Sequence, residues 1–107
     1  MQQRALEHFR HRTDHYAERL KLPAPAVALS SARTRWGSCS RKTGIRLNWR
    51  LIHLPVELGD YVVAHDVAHL IQMNHGTRFW AVVEGLDPRW QEARAELKRR
   101  APEIPLV

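Results

Sequence analysis

Three histidines near the middle of the chain have the residue type and spacing of a metal site. His65 and His69 are four residues apart, and His75 follows six residues later. Residues four apart on a helix lie one turn apart on the same face, where two imidazoles can share one metal ion. The longer gap to His75 lets the chain leave the helix and turn back. Three protein ligands with an open fourth position are typical of a catalytic zinc site, not a structural one.

The residue after the first histidine is an acid, Asp66. Zinc peptidases use glutamate at this place to polarise the attacking water and carry its proton. Asp66 is one methylene shorter, and a displacement of about 1 Å can lower a rate about 100-fold. Three interpretations stay open: Asp66 is a weaker base, it reaches the water through a second water, or the chain binds metal without turnover. An engineered substitution would also account for the aspartate.

The histidines belong to a predicted central helix over residues 55–72. Pro55 suits a first helical turn, and Glu57 favours the positive end of the helix dipole. The segment is apolar on almost every side, which indicates burial, although Gly59 within it has no explanation from the sequence. Two buried imidazoles are costly unless they are satisfied, and one metal ion satisfies both. Their neutral nitrogens suit zinc, although nickel, cobalt or iron could also bind.

Three segments before this helix predict strands. Residues 27–33 predict a strand with Val27 and Leu29 on one face, and residues 35–40 predict a second, irregular strand. Residues 45–51 alternate regularly between apolar and polar side chains. The turn at residues 41–44 predicts a hairpin between the last two strands. Further helices are predicted over residues 4–21, from Thr77 as a cap through residue 84, and from residue 87 to about 100. Residues 102–107 contain two prolines and predict an irregular tail.

Length and composition indicate one folded domain over residues 1–107, since 44% of residues are hydrophobic and four are tryptophan. The net charge of +6 fits nucleic acid or acidic partners, but the basic residues are scattered, which favours a solvated surface. The single cysteine, Cys39, excludes an internal disulfide and favours a reducing compartment. With no apolar signal segment and no stretch of about 18 apolar residues, the sequence predicts a soluble cytoplasmic protein without a membrane span.

Further residues have both a structural and a functional interpretation. Cys39 is predicted to be a buried strand residue rather than a nucleophile or ligand, and Trp36 is equally a core residue or a substrate platform. Glu84 is the leading further carboxylate, as a ligand or as an acid that orients a ligand imidazole. The remaining assignments are Glu57 and Asp60 as alternatives to Glu84, Trp49, Trp80 and Trp90 as packing residues, His53 as a cap or surface residue, and His8, His11 and His15 as a polar helix face.

Several motifs closely resemble the YgjP-like metallopeptidase family, which is related to SprT-like and minimal gluzincin folds. The motifs are RWGSCS at residues 35–40, IRLNWRL at 45–51, DYVVAH at 60–65, NHG at 74–76 and FW at 79–80. They fall in the order of the family, and the resemblance covers roughly residues 5–105.

The resemblance implies an α+β fold with a compact zincin-like core, in which a small antiparallel sheet packs on the active-site helix with flanking helices. It implies that His65, His69 and His75 are zinc ligands, and that the hairpin at Trp36 borders a cleft to which an extended peptide could add as a strand. The family has glutamate where this chain has Asp66. Its members usually carry a longer region before this core, so parts that bind substrate are expected to be missing.

The leading hypothesis is a zinc-dependent metallopeptidase-like hydrolase that acts on peptide bonds, weakened or inactive because of Asp66. One alternative is a basic, nucleic-acid-associated domain that keeps zinc only for stability, which predicts salt-dependent DNA binding. Another is a structural module that pairs with a separate partner and associates with itself when alone.

Overall fold

The computed structural model describes residues 2–31, 35–40 and 42–100 of the chain. Within these ranges a long helix precedes three short strands, a 3₁₀ helix and three further helices. The elements are α1 (Gln2–Arg19), β1 (Val27–Ser30), β2 (Gly37–Ser40), β3 (Gly44–Asn48), the 3₁₀ helix (Trp49–His53), α2 (Val56–Ala68), α3 (Thr77–Leu86) and α4 (Trp90–Arg100). Their order confirms the predicted α+β fold; the predicted irregular tail and the end of the first predicted strand lie outside the described residues.

The N-terminal helix α1 buries one apolar face against the rest of the molecule. Ala5, Phe9 and Tyr16 on this face belong to the hydrophobic core. The helix ends two residues before its predicted end, because Lys21 has a left-handed backbone conformation with φ 59°. Pro23 then follows, and proline cannot continue a helix because it has no backbone N–H.

The sheet has the strand order β1-β3-β2. The predicted hairpin is confirmed, since β2 and β3 pair antiparallel with Cys39 opposite Ile45. β1 pairs with β3 in parallel, so the sheet is mixed and the expectation of a wholly antiparallel sheet was wrong at β1. β2 therefore lies on the opposite side of β3 from β1. The hairpin places β3 between the two, parallel to β1 and antiparallel to β2.

The hairpin turn requires glycine at Gly44. Its φ is 87°, a conformation that residues with a Cβ rarely adopt. A Cβ there would also lie 2.3 Å from the carbonyl oxygen of Ala26. That carbonyl accepts a hydrogen bond of 2.8 Å from the backbone N–H of Ile45, which joins β1 to β3.

The third strand is shorter than the sequence predicts. β3 ends at Asn48, and the predicted strand positions Trp49 and Leu51 lie in the 3₁₀ helix. The Asn48 side chain accepts a hydrogen bond of 3.0 Å from the backbone N–H of Arg50. Asparagine competes in this way with the strand ladder and favours the start of a helical turn. Leu51 nevertheless reaches the core from the 3₁₀ helix.

The central element is α2, which packs against the other three helices, β2, β3 and the 3₁₀ helix. All of its residues from 61 to 68 are buried, as the apolar pattern predicts. The helix ends at Ala68, four residues before the predicted end. Leu70 and Ile71 donate their N–H groups to carbonyls three residues back, at 3.0 and 3.1 Å, which tightens the chain beyond the helix.

The last two helices begin differently from the prediction. Thr77 is the first residue of α3 rather than its cap, and Gly76 occupies the cap position without a side-chain bond. α4 begins at Trp90, after Asp87 has accepted a hydrogen bond of 3.2 Å from the backbone N–H of Arg89. None of the helices in the described ranges is long and apolar enough to cross a membrane.

We expect Gly59→Ala to raise the free energy of unfolding by about 1 kcal/mol, because alanine favours a helix interior over glycine by about that amount. The added Cβ would make an ordinary contact of 3.8 Å with the Phe9 ring. Urea unfolding measures the change. Gly85→Ala in α3 is the matched variant, since its Cβ would meet nothing within 4 Å. If Gly59→Ala destabilises the fold while Gly85→Ala does not, the space beside Phe9 is smaller than described.

Candidate metal centre

The end of α2 and the loop that follows bring the three histidines together. His65 lies in the last turn of α2, His69 is the residue that caps its C-terminus, and His75 precedes α3. The candidate ligand atoms, one from each side chain, all lie within 4.8 Å of one another. The spacing in the sequence predicted this cluster, and the turn after α2 accounts for the approach of the third imidazole.

The three rings surround a small space and share one aromatic neighbour. Ring centroids are 4.9 Å apart for His65 and His69, 5.3 Å for His65 and His75, and 4.7 Å for His69 and His75. The fully buried Phe79 of α3 lies 4.5 to 5.0 Å from all three. His65 is buried, His69 is half-buried and His75 is exposed, so the cluster opens to solvent on the side of His75.

One histidine is oriented by the backbone. Nδ1 of His69 lies 3.2 Å from the carbonyl oxygen of Gln72, to which it donates a hydrogen bond. This bond places the proton on Nδ1 and leaves the Nε2 lone pair to bind a metal, as is common for metal-ligating histidines. Nδ1 of His65 lies 3.6 Å from Oδ1 of Asp66, which is too long for such a bond.

The environment of the cluster favours neutral imidazoles. Burial, and then the positive charge of Arg94, lowers the pKa of His65 to about 4. Burial is also the largest cause that lowers the pKa of His69 and of His75, and the charge of His65 adds to it in both cases. A neutral imidazole is the form that binds a metal. The donor set and its mutual distances therefore fit a divalent cation such as zinc.

Asp66 points away from the solvent and toward β2. The residue is only 3% exposed, and its Oδ2 has no hydrogen-bond partner within the described part of the chain. A Cβ placed on Gly37 would lie 2.2 Å from that oxygen. Burial raises the pKa of Asp66 to about 8, and the charge of His69 opposes this only in part. The aspartate is therefore held as a neutral acid over much of the pH range in the metal-free fold.

The further carboxylates considered from the sequence stay apart from the cluster. Among the described residues, the only grouping of metal-ligating side chains is the three histidines, and Glu84 is exposed outside it. Asp60 pairs with Arg12 of α1 at 2.9 Å, and Glu57 is exposed. None of the three therefore takes the predicted place beside a ligand.

The tryptophans divide between the core and the surroundings of the cluster. Trp36 is 7% exposed and belongs to the core, which decides between the two roles that the sequence left open. Trp80 stacks on Trp90 at 4.5 Å, and both pack against the core as predicted. Trp49 is half-buried beneath the guanidinium of Arg50, 4.8 Å from its ring, and does not join the core cluster.

The other predicted surface and strand residues need little correction. Cys39 is half-buried and packs against the core rather than being fully buried. His53 is exposed beside Trp49 on the 3₁₀ helix, as expected. His11 and His15 are exposed on α1 and His8 is half-buried against Phe9, and none of these three joins a metal-binding group in the described ranges.

Sequence reasoning missed Arg94 of α4. Its guanidinium carbon lies 5.8 Å from the ring centroid of Trp80, which in turn lies 5.9 Å from His65 and 6.2 Å from His75. In the sequence Arg94 is one of many scattered arginines. The one available signal is that it follows Trp90 by four residues, which places both on the same face of α4.

We expect Gly37→Ala to destabilise the fold by about 1 to 3 kcal/mol, the usual cost of inserting an atom into a packed interior. The added Cβ would collide with Oδ2 of Asp66. In an Asp66→Ala background the same change should cost much less, and thermal unfolding of the four proteins measures the difference. Gly76→Ala, where a Cβ meets nothing within 4 Å, is the matched control. Equal costs of Gly37→Ala in both backgrounds would contradict the collision.

The metal-free protein should be stabilised by Asp66→Asn, increasingly so as the pH rises. The folded pKa of about 8 lies above the ordinary value of 3.8, so the folded state keeps a proton that the unfolded state releases between them. The stability of the parent therefore falls as the pH rises through this window, while the amide is unaffected. Chemical unfolding in the presence of a chelator at about pH 5, 7 and 9 measures this. A difference that stays constant with pH would refute the raised pKa.

Comparisons with known proteins agree with this geometry. Residues 1–100 match the family model described as the YgjP-like metallopeptidase domain. The fold is similar to the crystal structure of the metallopeptidase zymogen abylysin of Pyrococcus abyssi, with a TM-score of 0.80, 23% identity, and coverage of 92% of this chain and 99% of the other. It is also similar to the metallopeptidase zymogen jannalysin of Methanocaldococcus jannaschii, with a TM-score of 0.74, 18% identity, and coverage of 86% and 95%.

No match to this sequence was found among curated proteins. The family match spans nearly the whole chain, and it includes the helix, the loop and the three histidines of the cluster. The chain belongs to the YgjP-like metallopeptidase domain family.

Proposed function

We propose that the chain is a zinc-dependent metallopeptidase-like hydrolase in which His65, His69 and His75 hold the metal. The observation that carries the proposal is the approach of their three ligand atoms to within 4.8 Å of one another. Three imidazole nitrogens suit zinc and leave room for water or substrate. When bound, zinc supplies a Lewis acid that activates water and polarises a peptide carbonyl.

The surrounding residues orient and shield the ligands. The carbonyl of Gln72 fixes the ring of His69, so that Nε2 is the atom presented to the metal. Phe79 packs on all three imidazoles and keeps water from their inner side. A site that is dry on one side and open on the other strengthens the interaction of its charges with substrate.

Asp66 is the proposed general base, with reduced activity. Its carboxylate lies next to His65 but is buried against Gly37, and it is shorter than the glutamate that the family resemblance implies. Burial also favours its protonated form, which cannot accept a proton from water. Both features lower the expected rate without affecting the ligands. We therefore propose strong metal binding combined with weak peptide hydrolysis.

The substrate proposed for this site is an extended peptide. β2 is an edge strand of the described sheet, and Gly37 at its start lies against Asp66. A peptide that adds to this edge as a further strand would pass beside Asp66 and the histidines. The backbone of β2 would supply the hydrogen bonds, and side-chain contacts would determine the preferred sequence.

His69→Ala should lower the affinity for zinc by more than about 100-fold, because the loss of an outer partner of a ligand alone costs about 10- to 100-fold. Zinc per chain, measured after purification without a His tag and after dialysis against a chelator, provides the test. His53→Ala is the matched control, since it removes an exposed histidine outside the cluster. Equal zinc retention by the two variants would argue against the proposed ligands.

Asp66→Glu should raise kcat/KM on an unfolded protein substrate by about 100-fold, because glutamate is the acid that the family resemblance implies and a displacement of about 1 Å can cost about that factor in rate. Asp66→Asn should abolish the residual activity and still bind zinc. Each variant is compared at equal zinc content and after its folding has been verified. No gain by zinc-loaded, folded Asp66→Glu would show that the aspartate does not limit the activity.

The nucleic-acid-associated alternative stays a prediction from the net charge of +6. It requires an affinity for DNA that falls steeply as salt rises. Binding measurements at low and high salt distinguish it from the hydrolase proposal, which does not require such an affinity.

A further inference from the structure

Arg94 of α4 lies near enough to the cluster for its positive charge to act on His65 and His75. Its guanidinium covers one part of Trp80, at 5.8 Å from the ring centroid. The same ring lies 5.9 Å from His65 and 6.2 Å from His75. Trp90 stacks on Trp80 at 4.5 Å and fixes the position of this ring. The arginine is exposed, so its charged group is accessible to solvent and to a bound molecule.

Arg94 also acts on the hydroxyl of Tyr61. The guanidinium of Arg94 donates a hydrogen bond to this hydroxyl, whose residue is buried. The phenol O–H is itself a hydrogen-bond donor. Its ring lies 5.9 Å from the ring of His65. Two hydrogen-bond donors, a guanidinium and a phenol, thus lie together next to the first histidine.

Arg94 differs from other arginines on and just before α4. Arg89, which precedes the helix, pairs with Glu92, and Arg99 and Arg100 pair with Glu96. Within the described part of the chain, no carboxylate pairs with Arg94. An unpaired positive charge beside a cation site opposes metal binding by like-charge repulsion. An anion bound at the same place would offset that repulsion.

We propose that Arg94 and the hydroxyl of Tyr61 form a subsite that holds an anionic oxygen of the substrate beside the three histidines. The inference rests on the proposed function and adds the group that the substrate presents. Two sources share this chemistry: the oxygen that becomes negative when a peptide carbonyl is attacked, and the free carboxylate at the end of a peptide. The planar guanidinium can donate two parallel hydrogen bonds to either.

The test compares the parent with Arg94→Gln, Arg94→Lys, Tyr61→Phe and Arg99→Gln. Arg99→Gln is the matched control, since it removes the same charge from the same helix. Zinc content is measured first, and then calorimetry gives the affinity of each zinc-loaded protein for three probes. These are a phosphonate peptide with an amidated end, a peptide with a free carboxylate, and the same peptide with an amidated end.

Arg94→Gln should weaken the binding of an anionic probe by about 10- to 100-fold, the value of a hydrogen bond to a charged group. Arg94→Lys should recover part of the loss, because lysine keeps the charge without the forked geometry. Tyr61→Phe should cause a smaller loss, and Arg99→Gln none. The affinity for the neutral probe should be the same in all variants.

The two anionic probes distinguish the two sources. If Arg94→Gln weakens the binding of the phosphonate alone, the subsite holds the oxygen formed during attack; if it weakens the binding of the free carboxylate alone, the subsite holds the peptide end.

Zinc-loaded Arg94→Gln that binds both anionic probes as tightly as Arg99→Gln would overturn the subsite and leave the metal site intact. Absence of zinc from the parent and all variants would instead overturn the proposed function, and the subsite with it. The two failures are therefore distinguishable from the zinc measurement alone.

Discussion

The structure depends on the packing of three imidazoles into a space the size of one metal ion. His65 is buried in the last turn of α2, where an unsatisfied imidazole is costly. The early end of α2 and the tight turn after it allow His69 and His75 to approach the same space. Phe79 of α3 then closes the inner side of the cluster. The position of α3, and through the stacked tryptophans that of α4, is thus tied to the histidines.

The sheet constrains the acid of the site as closely as the helices constrain the ligands. Gly37 lets β2 approach α2 so closely that a Cβ on this residue would lie 2.2 Å from Oδ2 of Asp66. Two properties that an active peptidase combines are therefore separate in the proposed function. The three histidines lie together as a metal site requires, whereas the carboxyl group of Asp66 is buried against β2.

The parts of this arrangement that depend on local spacing could be predicted from the sequence, and the parts that depend on long-range contacts could not. The helix period placed His65 and His69 on one face, and the longer gap to His75 indicated the turn. Alternation of apolar residues identified β3, but it carries no information on strand direction, so the parallel pairing of β1 was missed. The cap made by Asn48 ended the strand early through one hydrogen bond. Arg94 reaches the site from a separate helix, which no local pattern reveals.

The central claim is that one metal ion lies between His65, His69 and His75. Anomalous diffraction at the zinc absorption edge, from crystals of protein purified with its own metal, tests this most directly. We expect a single strong peak within bonding distance of one nitrogen from each of the three imidazoles, with His69 bound through Nε2. A peak elsewhere in the molecule, or three ordered imidazoles with no peak between them at saturating zinc, would contradict it.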